Sequence, residues 1–170
     1  MNERVNIISH FINIADKCVS FQNYHSAYGI ICGLNMPCIL RLKLTWKKIP
    51  RKILHKYEKM MELFDLSKNY SNYRNSIQIC KGPAIPLMSV ISKDLFGIDE
   101  NNKTAFGELV NVEKLRLVEK ILSSLISHQT CKYTFSRLPN VEGYIDKLPH
   151  KQEKEIAKES NKCEVRVARN

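Results

Sequence analysis

The sequence predicts an all-α fold built as a single helical domain. Apolar residues recur at steps of three and four along most of the chain, which places them on one face of a helix. Period-2 alternation, the mark of a half-buried strand, is scarce. The chain also holds only six glycines in 170 residues, whereas a sheet protein needs turn residues at short intervals.

The first stripe is Val5, Ile8, Ile12, Ala15 and Val19. A shorter one follows at Ala27, Ile30, Ile31 and Leu34, then a third at Ile53, Tyr57, Met60, Met61 and Phe64. Pro86 suits a first helical turn, with Leu87, Ile91, Leu95 and Ile98 sharing one face behind it. Asn111 is placed to cap a helix that carries Val112, Leu115, Val118, Leu122 and Leu125, widened by Ile121 and Ile126. Pro139-Asn140 opens another, with Val141, Tyr144, Ile145 and Leu148 expected on its inner side. Beyond His150 the chain is rich in Lys and Glu, as in a terminal helix packed on one side. No internal repeat or low-complexity linker divides residues 1–170, which read as one domain.

Composition narrows the function. Hydrophobic residues at 44% and charged residues at 26% exclude a wholly disordered chain. No apolar run approaches the ~20 residues that cross a bilayer. Met1-Asn2-Glu3-Arg4-Val5-Asn6 lacks a secretory pattern, so a cytoplasmic location is expected. The six cysteines form no C-x-x-C pair and no zinc-spaced cluster with histidine, which points to free thiols and to no metal or cofactor. No Ser/His/Asp, Cys/His or paired-carboxylate arrangement stands out, and no Gly-rich phosphate loop is present, so covalent enzyme chemistry is not expected.

Charge is the imbalance: 27 Lys+Arg against 17 Asp+Glu, net +10. Residues 41–59 concentrate it in Arg41, Lys43, Lys47, Lys48, Arg51, Lys52, Lys56 and Lys59, answered within the stretch only by Glu58. Such a run suits phosphates, of nucleic acid or of an anionic membrane surface, or is simply a solvated face. Aromatics are not regularly interleaved with it and no nucleic-acid motif appears, which argues against nucleic acid.

The segment from Pro86 to Asn102 differs from a core helix. At about 100° per residue, Phe96 lies opposite Leu87, with Glu100 close beside Phe96 and Lys93 on the same outer side. A large aromatic and a carboxylate one turn apart thus project from the apolar stripe and call for a partner. The alternatives are that a neighbouring helix covers Phe96, or that the helix stops at Gly97.

Ile85-Pro86-Leu87…Lys93-Asp94-Leu95, followed by an acidic turn, resembles the "P-F-x-G-x-Y-L-x-D-L" segment of Ras guanine-nucleotide exchange factors (RasGEF) of the son-of-sevenless type. Other motifs follow in that family's order. Gln22-Asn23-Tyr24-His25-Ser26 is similar to "L-x-N-Y/F-N", and Ile39 to Trp46 to "V-x-R-L-x-x-T-W". Asn69-Tyr70…Tyr73-Arg74 is similar to "N-x-x-x-Y-R", and Leu109 to Lys114 to "I-N-F-x-K". Gln129 and Tyr133 match its "Q…Y", and Ser160…Glu164-Val165-Arg166 its closing "S-L-x-I-E-P-R".

The resemblance implies a RasGEF catalytic domain with a protruding helical hairpin at about 86–129, whose second helix runs from Asn111 to about Gln129. Two departures bear on it. The family's domain ordinarily begins some tens of residues earlier, so a domain lacking its N-terminal helices is expected, with apolar surface left uncovered. Leu87, Met88 and Ser89 also stand where the family has Phe, an apolar residue and Gly, and Val165 replaces a Pro.

The implied partner is a small GTPase of the Ras, Rap or Ral class, met in the cytoplasm or at the inner face of the plasma membrane. The resemblance assigns nucleotide release to Lys93, Phe96, Glu100 and Asn102: Phe96 at the GTPase's metal site, Glu100 at its phosphate site. It assigns the grip on the GTPase's second switch to Tyr28, Asn35, Tyr70 and Leu87. Read from the residues alone, Tyr28 and Tyr70 could equally be core, and Asn35 could merely end a helix before Met36-Pro37. Arg41 and Arg74 suit internal salt bridges. Two other classes remain beside an exchange factor: a GTPase-binding scaffold without exchange, and a basic helical nucleic-acid binder.

Overall fold

The computed structural model describes residues 1–129 and 131–164. Ten helices and one minimal β-hairpin follow one another among them. They are α1 (Asn2–Ser20), α2 (Tyr24–Leu34), α3 (Pro37–Leu40), α4 (Lys43–Lys47), α5 (Arg51–Leu63), α6 (Ser71–Gln78), α7 (Met88–Asn101), β1 (Ala105–Phe106), β2 (Leu109–Val110), α8 (Val112–Gln129), α9 (Pro139–Asp146) and α10 (Glu153–Cys163). Val165 and Arg166, the end of the closing motif, lie outside the described residues.

The predicted stripes make the core. α1 buries Ile8, Ile12 and Ala15 against α2 and α5; α2 contributes Tyr24, Ala27, Ile31 and Leu34, and α5 contributes Met60. Phe64, Tyr73, Leu87 and Val90 close the cluster. Each large aliphatic buried here is worth about 1.5–3 kcal/mol in removed apolar surface. The Asn23 carboxamide caps α2 by accepting from the Ser26 amide at 3.0 Å.

Two contacts root α7 in this core. Ile85 pairs with the chain at Asn23 in a parallel bridge, its amide donating to the Gln22 carbonyl and its carbonyl accepting from the Tyr24 amide, both at 3.0 Å. That extended pairing delays the helix, which starts at Met88 and leaves Pro86 before its first turn. The Leu87 amide then donates to the buried Tyr73 hydroxyl at 2.7 Å.

α7 continues through Gly97 and pairs with α8 as a helical hairpin joined by β1 and β2, in register Ala105↔Val110 and Phe106↔Leu109. Gly107 turns that corner at φ +64°, which a side chain would resist. Lys114, 6% exposed, locks the tip: its ammonium meets the Asp99 carboxylate at 2.6 Å and the Thr104 hydroxyl at 3.0 Å. Asn111 caps α8 as expected, accepting from the Lys114 amide at 3.1 Å. Beyond α8, the Tyr133 hydroxyl donates to the Phe21 carbonyl at 2.6 Å and ties the chain back to the end of α1.

The far end is held by a clasp between distant segments. The Arg41 guanidinium donates to the Ser160 carbonyl at 2.8 Å and the Glu164 carbonyl at 2.7 Å. Its partners are therefore two backbone oxygens and the Ser160 hydroxyl, at 3.1 Å, and not the Glu164 carboxylate of a salt bridge. That carboxylate instead accepts from the Thr45 hydroxyl at 2.7 Å and from the amides of Thr45 and Leu44 at 2.9 and 3.1 Å.

Three expectations are corrected. α9 forms, but Val141, Tyr144, Ile145 and Leu148 are exposed, since no described element covers that side. Of the predicted stripe on α8, only Val118, Ile121 and Leu125 are half-buried, while Val112, Leu115, Leu122 and Ile126 face outward. The apolar stripe of α7 is shared with Asp94, an acid among hydrophobes that Arg74 accommodates.

Candidate functional site

At the junction of α2 and α5 lies an open cleft of about 460 Å³, lined by Tyr28, Ile31, Cys32, Asn35, Met61 and Phe64, with Asp65 and Leu66 at its rim. Tyr28 and Asn35, both predicted, come together here. The Tyr28 ring meets Phe64 edge-on at 5.3 Å between centroids. A hydrogen bond with Tyr70 raises the Tyr28 hydroxyl well above the usual tyrosine range, with burial and Cys32 adding to the effect. Asn35 is the C-cap of α2, and its carboxamide also faces the cleft wall. Its Oδ1 accepts from the Tyr57 hydroxyl and its Nδ2 donates to the Met61 sulfur. Cys32, Met61 and Leu66 escaped sequence reasoning. An exposed Leu in the polar turn Asp65-Leu66-Ser67-Lys68 was the available signal.

Tyr70 joins this cleft to the hairpin. Lys68, Asn69 and Tyr70 are all left-handed, at φ 49°, 56° and 61°. For residues with a side chain this costs about 1–2 kcal/mol each, so the surroundings must hold them there. The Asn69 carbonyl accepts from the Arg74 Nε at 2.7 Å, while its Oδ1 accepts from the Lys93 ammonium at 3.0 Å. Lys93 also stands 5.7 Å over the Tyr70 ring. Arg74 completes the brace with a two-point pair to Asp94 of α7, at 2.7 and 2.8 Å. The expected internal role of Arg74 is thereby found.

Farther along α7, Phe96 is 67% exposed and Glu100 is exposed as well. The two are four residues apart and so neighbours on one helix face. Neither neighbour-helix burial nor a stop at Gly97 removes them from the surface. Asn102 is the C-cap of α7, its Nδ2 donating to the Ile98 carbonyl at 2.9 Å, so its amide nitrogen is engaged within the hairpin. Leu87 does not join the others on the surface. At 1% exposure it is a core residue beneath Tyr73, and no partner can reach its side chain in this arrangement.

Comparison with known proteins bears on this geometry. A family model described as the RasGEF domain matches residues 1–116, which runs from α1 into α8. The chain belongs to the RasGEF family. Among its relatives, "Ras guanine nucleotide exchange factor D" of Dictyostelium discoideum is 37% identical over 167 residues, 96% of this chain and 25% of that protein. "Ras guanine nucleotide exchange factor Q" of the same organism is 33% identical over 145 residues, covering 85% and 11%. Human "Rap guanine nucleotide exchange factor 6" is 39% identical over 126 residues, covering 73% and 8%. The chain thus spans a quarter or less of the length of these curated relatives. Within the RasGEF domain the matched segment holds the cleft, the left-handed turn and all of α7; most of α8 lies past its end.

Proposed function

We propose that this RasGEF domain accelerates GDP release from a small GTPase of the Ras, Rap or Ral class, wedging the α7–α8 hairpin at the nucleotide's phosphate and metal site. The observation that carries this reading is the outward pair Phe96 and Glu100 on a helix braced, through Arg74 and Asn69, to the left-handed turn beside the Tyr28 cleft. A GTPase that holds nucleotide at picomolar affinity, about 16 kcal/mol, does so largely through phosphate and metal contacts. An exchange factor must offer substitutes for them. Glu100 brings an anion that repels phosphate, and Phe96 an apolar surface that disfavours a hydrated cation. The cleft, with its aromatic and apolar walls, suits a buried aromatic anchor from the partner. Linkage is reciprocal, so a factor that weakens nucleotide binding is itself expelled when nucleotide returns, and no covalent bond changes.

The full chain is mixed with Ras, Rap and Ral proteins loaded with a fluorescent GDP, and release is followed by fluorescence. Glu100→Ala and Phe96→Ala should each slow release on the responsive GTPase by about 10-fold or more, as loss of one developing-charge or apolar substitute would. Both variants should melt like the parent, because both side chains are exposed. Wild-type rates in both variants would overturn the assignment.

A second reading, a scaffold that binds the GTPase without exchange, is favoured by one feature. A cleft of about 260 Å³ lies between α6 and α8, and the core side chain and polar bonds that seat the hairpin on the body, at Val90, Lys93 and Asp94, belong to α7. Binding without acceleration would select it.

A further inference from the structure

We infer that the α4–α5 end of the domain is a docking surface for an anionic phospholipid bilayer. Lys43, Lys47, Lys48, Arg51 and Lys52 are all exposed and run through α4, the turn at 48–50 and the start of α5. Lys59 continues the Lys52 side, since seven residues make almost two full turns. None of these six makes an ion pair among the described residues. Lys56, by contrast, is held by Asp16 at 2.8 Å, and Arg41 is turned inward to Ser160 and Glu164.

Few acids face this end. Glu58 stands 3.8 Å from His55, Glu62 lies at the far end of α5, and the Glu164 carboxylate is occupied by the amides of Leu44 and Thr45. Among the cations projects Leu44, 58% exposed. Ammonium and guanidinium groups ringing a bare leucine match a lipid surface, where headgroup phosphates and carboxylates meet the cations and the leucine enters the interface. A nucleic-acid duplex offers phosphates on its outside but keeps its apolar base faces stacked, so it would have to unstack to receive Leu44, whereas a bilayer interface takes it directly. Trp46, the aromatic of α4, is half-buried against Tyr57 and not open to stack on a base. The surface sits at the start of α5 and the cleft at its end, about 18 Å away along the helix, so both can be occupied together.

The full chain is sedimented with phosphatidylserine-rich vesicles and with pure phosphatidylcholine vesicles across a salt series. It should bind the first, ignore the second, and weaken steeply as salt rises. Lys47→Glu/Lys48→Glu/Lys52→Glu should lower the affinity about a hundredfold or more. Leu44→Ser should lower it a few-fold without changing the salt slope. Reversing Lys151, Lys154 and Lys158 near and on α10, the same change in net charge, should leave binding nearly intact. A Lys→Gln triple at 47, 48 and 52 repeats the test if the reversal does not fold, as judged by its thermal melt. Equal loss from the α10 reversal would overturn the inference, as would equal binding to phosphatidylcholine. Tighter binding to single-stranded RNA than to the vesicles would overturn it as well and assign the patch to nucleic acid.

Discussion

Leu87 shows how one buried side chain separates holding a site from being the site. Its amide hydrogen-bonds the Tyr73 hydroxyl, its side chain is sealed in the core, and α7 starts at the next residue. It therefore fixes where the helix bearing Phe96 and Glu100 leaves the body. Leu87→Ala removes a fully buried branched side chain and should cost about 2–5 kcal/mol in thermal or denaturant unfolding. If Leu87 instead touched a partner, the variant would keep its stability and lose GTPase affinity, an outcome that would return it to the surface. Tyr28 behaves otherwise: half-buried, bonded to Tyr70 and open to the cleft, it serves core and surface at once. Its type and position in the sequence could not separate those roles, because a tyrosine's apolar ring and polar tip suit either.

Among the elements, α7 matters most, and its orientation is set from α6 by Arg74. One guanidinium reaches the Asp94 carboxylate with two nitrogens and the Asn69 carbonyl with the third, linking the hairpin to the left-handed turn beside the cleft. If the hairpin acts as proposed, Arg74→Ala and Asp94→Ala should each lower the exchange rate at saturating GTPase more than they raise the half-saturating concentration, because a tilted wedge would still bind. A double-mutant cycle on stability should return a coupling of about 1 kcal/mol, as for partly exposed two-point pairs. Arg74→Lys should rescue little, since an ammonium cannot make the fork. Additive effects in the cycle would remove the brace.

The helices of this region were legible because 3.6-residue periodicity survives in sequence, and the outward pair because it sits on the wheel opposite the stripe. Asp94 was hidden, since an acid in an apolar stripe is interpretable only once its cation is known. The β1–β2 hairpin was hidden too, as two-residue strands have no period to read. The cleft itself draws on α2, α5 and the turn after α5, so it exists only after packing brings them together.

For the whole molecule, the last described residue is joined to α4 across more than a hundred residues: Glu164 caps α4 by accepting from the amides of Leu44 and Thr45 and from the fully buried Thr45 hydroxyl. Burial alone would push this carboxyl up, but the hydrogen bonds from Thr45 and from the amides of Leu44 and Thr45 outweigh it, and the group titrates below the usual glutamate value. A carboxyl lowered in the folded state stabilises above its unfolded value and loses that contribution as pH falls through the folded one. The clasp should therefore weaken below about pH 4.5, the unfolded glutamate value. At neutral pH, Glu164→Gln should cost about 1–2 kcal/mol, a charge-assisted cap discounted for its contact with solvent. The gap between the variant and the parent, followed by thermal melts, should hold from pH 6 down to about 4.5 and shrink below it as the buffer is taken to pH 3. A gap that stays constant across that window would mean the carboxylate's charge does not hold α4, and that the Arg41 and Ser160 hydrogen bonds join α10 to the rest.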